Sequence, residues 1–193
     1  MEVDGVKKTP YNSSRYLIYG YKYSRVGNTY VLLKKDTIVA TVGPHWPGAV
    51  FTSFLIVFAA YLNIYIICIN LTIHRVYLIT FVCILCLVTE ISLYGCALSD
   101  PGIVLPNTKD PLCAEERMAL FDSSNYICDV CEVVQPIGTA HCTYCDVCIE
   151  KLDHHCPWIG KCVGRRNMRW FQLLIGSVVV YLIEFIIVGL VLR

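Results

Sequence analysis

The sequence predicts an α-helical, multi-pass membrane protein with three transmembrane helices and a small cysteine-rich domain between the second and the third. Three observations predict it. Only 16% of the 193 residues are charged and 56% are hydrophobic, whereas a typical soluble domain has roughly a quarter charged residues. The uncharged sequence is gathered into three runs, 49–73, 76–99 and 170–192, each long enough to supply the roughly 20 helical residues that cross a bilayer core. Seven of the twelve cysteines fall between positions 128 and 162, outside those runs.

Taken in order, residues 1–48 are polar and basic, so no signal peptide is expected there, and Met1-Glu2 excludes a myristoylation signal. Within them NTYVLLKKDTIVATV predicts a β-hairpin turning at Lys34-Lys35-Asp36, lying at the membrane surface. Gly43-Pro44 and Pro47-Gly48 then break the backbone, and Trp46 stands where an interfacial aromatic is expected. Run 49–73 holds no charge, run 76–99 only Glu90, and run 170–192 only Glu184. Three such runs in so short a chain leave too little polar sequence to cover them as core helices. His74-Arg75 allows no more than a turn, so 49–99 is expected to form a transmembrane hairpin. Ionisable groups inside spans are costly. Glu90 and Glu184 are read either as protonated or interhelically hydrogen-bonded carboxylates, or as contacts to the path of a bound hydrocarbon chain or to a bundle partner.

The cations set the orientation. Seven Lys and Arg precede the first run and seven lie between the second and third, while only Arg75 and Arg193 fall elsewhere. The positive-inside tendency therefore puts residues 1–48 and the long loop in the cytosol. The net charge of +1 implies no nucleic-acid partner. After the second run, SDPGIVLP ends the helix, and 107–125 reads as a polar linker with a helical turn or two around 114–120. No repeat appears at a period of 20 to 50 residues. Cys68, Cys83, Cys86 and Cys96 lie in the runs as small apolar packing residues, and Cys113 has no evident partner.

Residues 126–169 hold the order Cys128, Cys131, His141, Cys142, Cys145, Cys148, His154, His155, Cys156, Cys162. Cytosolic thiols are kept reduced, so metal binding or catalysis is favoured over disulfides. The C-x-x-C spacings 128/131, 142/145 and 145/148 are those by which a short turn offers two thiolates to one tetrahedral zinc. The segment is poor in large aliphatic residues and needs metal to hold it together. Two closed zinc sites use eight of the ten candidates; alternatively all ten are ligands and none is catalytic. Pro157 pushes Cys156 toward an extended conformation, in which His154 and Cys156 share one face and His155 takes the other. A cysteine beside an imidazole and outside the metal shell is an activated nucleophile. Asp153 either orients His154, as in a triad, or, on a strict strand, faces His155 as its outer partner.

These residues, with Asp153-His154-His155-Cys156-Pro157-Trp158, Cys162-Val163-Gly164 and Asn167, closely resemble the cysteine-rich domain of the DHHC protein S-acyltransferases (palmitoyltransferases) over about 40 residues. Asp100-Pro101-Gly102 in segment 100–125 resembles that family's second motif. The resemblance implies that Cys156 takes an acyl group, typically palmitoyl, from acyl-CoA, helped by His154 and Asp153, and passes it to membrane-proximal cytosolic cysteines of substrate proteins. It implies one structural zinc on Cys128, Cys131, His141 and Cys148 and another on Cys142, Cys145, His155 and Cys162. It also implies an integral protein of endomembranes (Golgi, ER) or the plasma membrane, embedded in the lipid bilayer. Arg165, Arg166 and Arg169 are expected either to attract the phosphates of coenzyme A or anionic lipid, or to serve only as the basic flank of the third span.

Two departures stand out. Lys161 occupies a position where the family usually has Asn, and is either inert or alters a ligand position and the charge near Cys156. The family has four or more spans and a Thr-Thr-x-Glu motif, so the chain is expected to be truncated or partial. The competing reading is a noncatalytic membrane zinc module that acts through partners.

Overall fold

The computed structural model describes residues 11–16, 21–35, 37–70, 75–105, 126–131 and 133–191. The amino-terminal part is a four-stranded antiparallel sheet in the order β1 (Tyr11–Tyr16), β2 (Tyr21–Val26), β3 (Thr29–Lys34), β4 (Thr37–Val42). The hairpin expected around Lys34-Lys35-Asp36 is the β3–β4 pair, with Asp36 itself outside the described residues. Strands β2 and β3 are joined by the two-residue turn Gly27-Asn28, with φ of 53° at Gly27, a left-handed conformation that glycine adopts without strain.

The sheet packs against the cysteine-rich domain. Along β3 alternate residues point inward, and Val31 and Leu33 are buried. With Val26 they join Ile103, Val147 and Ile149 and the buried Cys142, Cys145 and Cys162 in one cluster. An apolar sheet face needs a cover, and the cysteine-rich domain provides it.

Three helices follow from the uncharged runs: α1 (Trp46–Asn70), α2 (Arg75–Leu98) and α3 (Met168–Val191). At about 1.5 Å per residue each is roughly 36 Å long, and each is long and apolar enough to cross a membrane. Helix α1 starts before the expected position 49, because Pro47 falls in its first turn, where a missing N–H breaks no helical bond. Only 17–28% of the most apolar stretch of each helix is buried within the protein, so most apolar side chains face outward, the arrangement that suits a hydrocarbon solvent. Ala60 and Ile67 of α1, Val82 and Leu85 of α2, and Tyr181 and Val188 of α3 form the central contact. Glu90 accepts from Ser53 Oγ (2.9 Å), and Glu184 accepts from the buried Asn63, so each intramembrane carboxylate bridges to α1. The link between α1 and α2 and the helical turns expected near 114–120 lie outside the described residues.

Among the described residues between α2 and α3 are three short antiparallel hairpins: β5 (Tyr126–Ile127) with β6 (Val134–Gln135), β7 (Ala140–Cys142) with β8 (Val147–Ile149), and β9 (His154–Cys156) with β10 (Lys161–Val163). Asp100, just past α2, anchors them to the helices. Its carboxylate accepts from the N–H groups of Gly102 and Ile103 (2.9 Å each) and pairs with Arg166 Nη1 at 2.6 Å.

Candidate metal centre and reactive cysteine

Among the described residues two groups of four bring their ligand atoms within 4.8 Å of one another: Cys128, Cys131, His141, Cys148, and Cys142, Cys145, His155, Cys162. Both are built alike. A tight turn supplies two cysteines, and the N–H of the second donates to the sulfur of the first, Cys131 to Cys128 at 3.4 Å and Cys145 to Cys142 at 3.5 Å. A hairpin supplies the other two as directly opposed residues, His141 with Cys148 and His155 with Cys162. The likeness lies in the sequence too. Each ligand of the second tetrad stands fourteen positions after its counterpart in the first: 128 and 142, 131 and 145, 141 and 155, 148 and 162. A search for periods of 20 residues or more passes over this signal.

The donor sets fit zinc. Three sulfurs and one imidazole nitrogen, nearly all buried, are a usual structural shell. Zinc–ligand bonds of about 2.0–2.3 Å in a tetrahedron give ligand–ligand edges of roughly 3.5 Å. His155 Nδ1 lies 3.6, 3.4 and 3.6 Å from Cys142, Cys145 and Cys162 Sγ, and His141 Nδ1 lies 3.3 and 4.0 Å from Cys131 and Cys148 Sγ. Charge points the same way. Hydrogen bonding from Cys131 pulls the Cys148 thiol down to about 5, and the same bond pushes Cys131 up. Bonds from Cys145 and Cys162 pull Cys142 down, while Cys142 pushes Cys162 up and Cys145 up to about 11. Each cluster therefore favours one anionic sulfur, and a dication held there would stabilise the thiolate form of its ligands.

His154 and Cys156 belong to neither tetrad. His154 Nδ1 donates to Asp153 Oδ2 at 2.8 Å, so Asp153 supports His154, not His155. The alternation that pairs residue 153 with 155 does not apply, because strand β9 begins at His154. The His154 ring rests edge-on against Phe171 of α3, with centroids 5.2 Å apart. Cys156 is buried in an apolar cluster with Leu93 and Cys96 of α2, Ile159, Val163 and Leu174 of α3. Its thiol thus sits where the hairpins meet the ends of the helices.

The fourteen-residue spacing explains why Cys156 is left out. Cys156 stands fourteen after Cys142, where a third unit would begin, but the next three ligand positions hold Ile159, Arg169 and Gly176. The backbone turn persists. The N–H of Asp146 donates to the carbonyl of Cys142 (2.7 Å) and that of Gly160 to the carbonyl of Cys156 (3.1 Å). Asp146 and Gly160 have φ of 55° and 78°. Cys156 occupies a metal-binding type of turn that lacks its second sulfur.

Arg165, Arg166 and Lys161 are engaged within the protein. Arg165 pairs with Glu150 at 3.1 Å, and Arg166 pairs with Glu150 at 3.2 Å as well as with Asp100. Lys161 is 1% exposed. Its ammonium donates to the hydroxyl and carbonyl of Thr41 (2.5 and 3.4 Å) and to the Ser99 carbonyl at the end of α2. Burial pushes it down to about 7, against the pull of nearby Cys96 and Asp100. The departure at this position is thus a tie between β4, α2 and β10. Sequence reasoning missed Asn28, Thr41 and His45, which reach this domain from the amino-terminal sheet and its edge.

A profile of the DHHC palmitoyltransferase family matches residues 122–192. The matched stretch holds both tetrads, Cys156 and α3. It is similar to "Palmitoyltransferase ZDHHC14" of Homo sapiens, 44% identical over 69 residues, which are 34% of this chain and 14% of that protein. It is also similar to "Palmitoyltransferase ZDHHC9" of Bos taurus, 41% over 85 residues (40% of this chain, 23% of that protein), and to "Palmitoyltransferase ZDHHC18-B" of Danio rerio, 42% over 72 residues (37% and 17%). The matched stretch spans less than a quarter of each of these DHHC relatives.

Proposed function

We propose that the chain carries the acyl-transfer centre of a protein S-acyltransferase, moving a fatty acyl group, typically palmitoyl, from acyl-CoA to a cysteine of a substrate protein. The observation that carries this reading is that both tetrads are complete without Cys156 and His154, beside an Asp153–His154 hydrogen bond. Asp153 holds the neutral imidazole as the Nδ1–H tautomer, leaving Nε2 unprotonated to take the Cys156 proton. The thiolate attacks the thioester carbonyl, the new sulfur–acyl bond forms, and the coenzyme A thiolate leaves with the proton returned by His154. A substrate cysteine then repeats the exchange on the acyl-Cys156 thioester, regenerating the thiol.

In this reading each tetrad binds one zinc ion, which supplies folding energy to the domain. The regions 1–48, 100–125 and 126–169 lie in the cytosol, with 49–73, 76–99 and 170–192 in the membrane, as the Lys and Arg distribution favours. The apolar surroundings of Cys156 suit an acyl chain, since each buried CH₂ contributes about 0.8 kcal/mol. Arg165 and Arg166 lend positive charge for coenzyme A phosphates, which compete there with Glu150. Substrates are proteins whose cytosolic cysteines lie near the bilayer of an endomembrane or the plasma membrane.

The test is to incubate purified protein with labelled palmitoyl-CoA and measure hydroxylamine-sensitive label. Wild type should take up label, and Cys156→Ser should not, with about two zinc ions per chain in both. His154→Ala should keep both metals and label slowly. A folded, zinc-loaded wild type that takes no label overturns the reading in favour of a noncatalytic zinc module.

A further inference from the structure

With Nδ1 of His155 turned toward three sulfurs, its other nitrogen points away from the tetrad. Nε2 lies 2.8 Å from Nδ1 of His45, the residue just before α1 and 110 positions earlier in the chain. The two rings meet nearly perpendicular, at 79° with centroids 5.0 Å apart, and Tyr144 packs against both. The His45 backbone is fixed as well. Its N–H donates to the Gly160 carbonyl (3.1 Å), and its carbonyl accepts from Gly48 (2.8 Å). The same edge of the sheet also grips the turn that carries two of the sulfurs. Asn28 donates from its backbone to the Cys145 carbonyl (2.8 Å) and from its side chain to the Tyr144 carbonyl (3.2 Å).

We propose that His45 is a positioning residue for the second metal site, accepting the Nε2–H of His155 on its own Nδ1 and so fixing the tautomer and ring orientation in which His155 Nδ1 faces the metal. The inference rests on the metal reading of that tetrad. An imidazole that binds metal through one nitrogen carries its remaining proton on the other, and that N–H needs an acceptor. The neutral His45 ring, with its proton on Nε2, provides one. In the first tetrad the group facing His141 Nε2 is local: Asp146 Oδ1, five residues along, stands at 3.7 Å, an ion-pair distance rather than a direct hydrogen bond. The second tetrad draws its acceptor from 110 positions earlier, from the short link between β4 and α1, which makes that link part of the metal site.

Zinc release from the metal-loaded full chain to a chromogenic chelator tests this without reference to activity. Wild-type zinc content is read first: fewer than two ions per chain overturns the tetrad reading and this inference with it. Given two, His45→Ala should release one ion about tenfold faster or more, the usual penalty for losing an outer partner, and the other at the wild-type rate. His45→Asn, whose Oδ1 takes the place of Nδ1 as acceptor, should restore slow release. Release of both ions from His45→Ala at the wild-type rate overturns the inference while leaving the metal reading intact. So does equal acceleration of both ions in the Ala and Asn variants, which marks general loosening of the domain.

Discussion

The turns 142–146 and 156–160 share a first-to-fifth backbone hydrogen bond and a positive φ at the fifth residue, and of the four side chains by which they differ the fourth bears most on what the first cysteine can do. Each opens with a cysteine preceded by a histidine, closes with the fifth N–H on the first carbonyl, and holds its fifth residue at positive φ. At the fourth position one has Cys145, whose sulfur completes a tetrad, and the other has Ile159, which is buried with Cys156 among apolar side chains. Two sulfurs on such a turn chelate a metal; one is left unligated. The difference between a structural thiol and the proposed nucleophile is therefore the loss of a neighbour, not a different fold around it.

The comparison can be broken most severely from the ligated side. Cys145→Ser should empty the second tetrad and unfold the domain, because structural zinc contributes on the order of 10 kcal/mol to such modules; zinc stoichiometry and limited proteolysis would read this. Next in size is Gly160→Ala. A Cβ there would lie 2.7 Å from the His45 carbonyl oxygen and 2.8 Å from Trp46 Cα, and the left-handed backbone alone costs about 1–2 kcal/mol, so the thermal midpoint should fall clearly. Ile159→Cys sharpens the comparison by restoring the missing sulfur. Excess zinc should then lower palmitoyl labelling about tenfold, reversibly with a weak chelator, through thiolate capture, while wild type stays insensitive. The smallest effect is expected for Asp146→Asn, which tolerates positive φ and keeps an oxygen near His141, so stability measured by denaturant should change by less than about 0.5 kcal/mol.

How much of this was legible in the sequence depended on the range of the interaction. The three helices were, because an uncharged run of membrane length is a local signal; α1 starts three residues, α2 one and α3 two before its run. Of the sheet, β3 and β4 were legible through Val31, Leu33 and their neighbours, whereas YNSSRY and YKYSRV lack a clear apolar alternation. The fourteen-residue spacing of the ligands was written in the chain but is shorter than the periods by which repeat folds are sought. Asp153 was ambiguous because a strand rule was applied one residue before the strand begins. His45, Asn28 and Thr41 carry no local mark of their role, since their partners lie 110 to 120 positions away.

That separation has a consequence for how the protein is made. The amino-terminal sheet leaves the ribosome with Val31 and Leu33 on an uncovered face, and its partners arrive only after about 120 further residues, two spans among them. At roughly 5–20 residues per second this interval is about 6–24 s. For that time the nascent sheet has neither its cysteine-rich partner nor its lysine tie, and Val31 and Leu33 lack the cover they have in the finished fold.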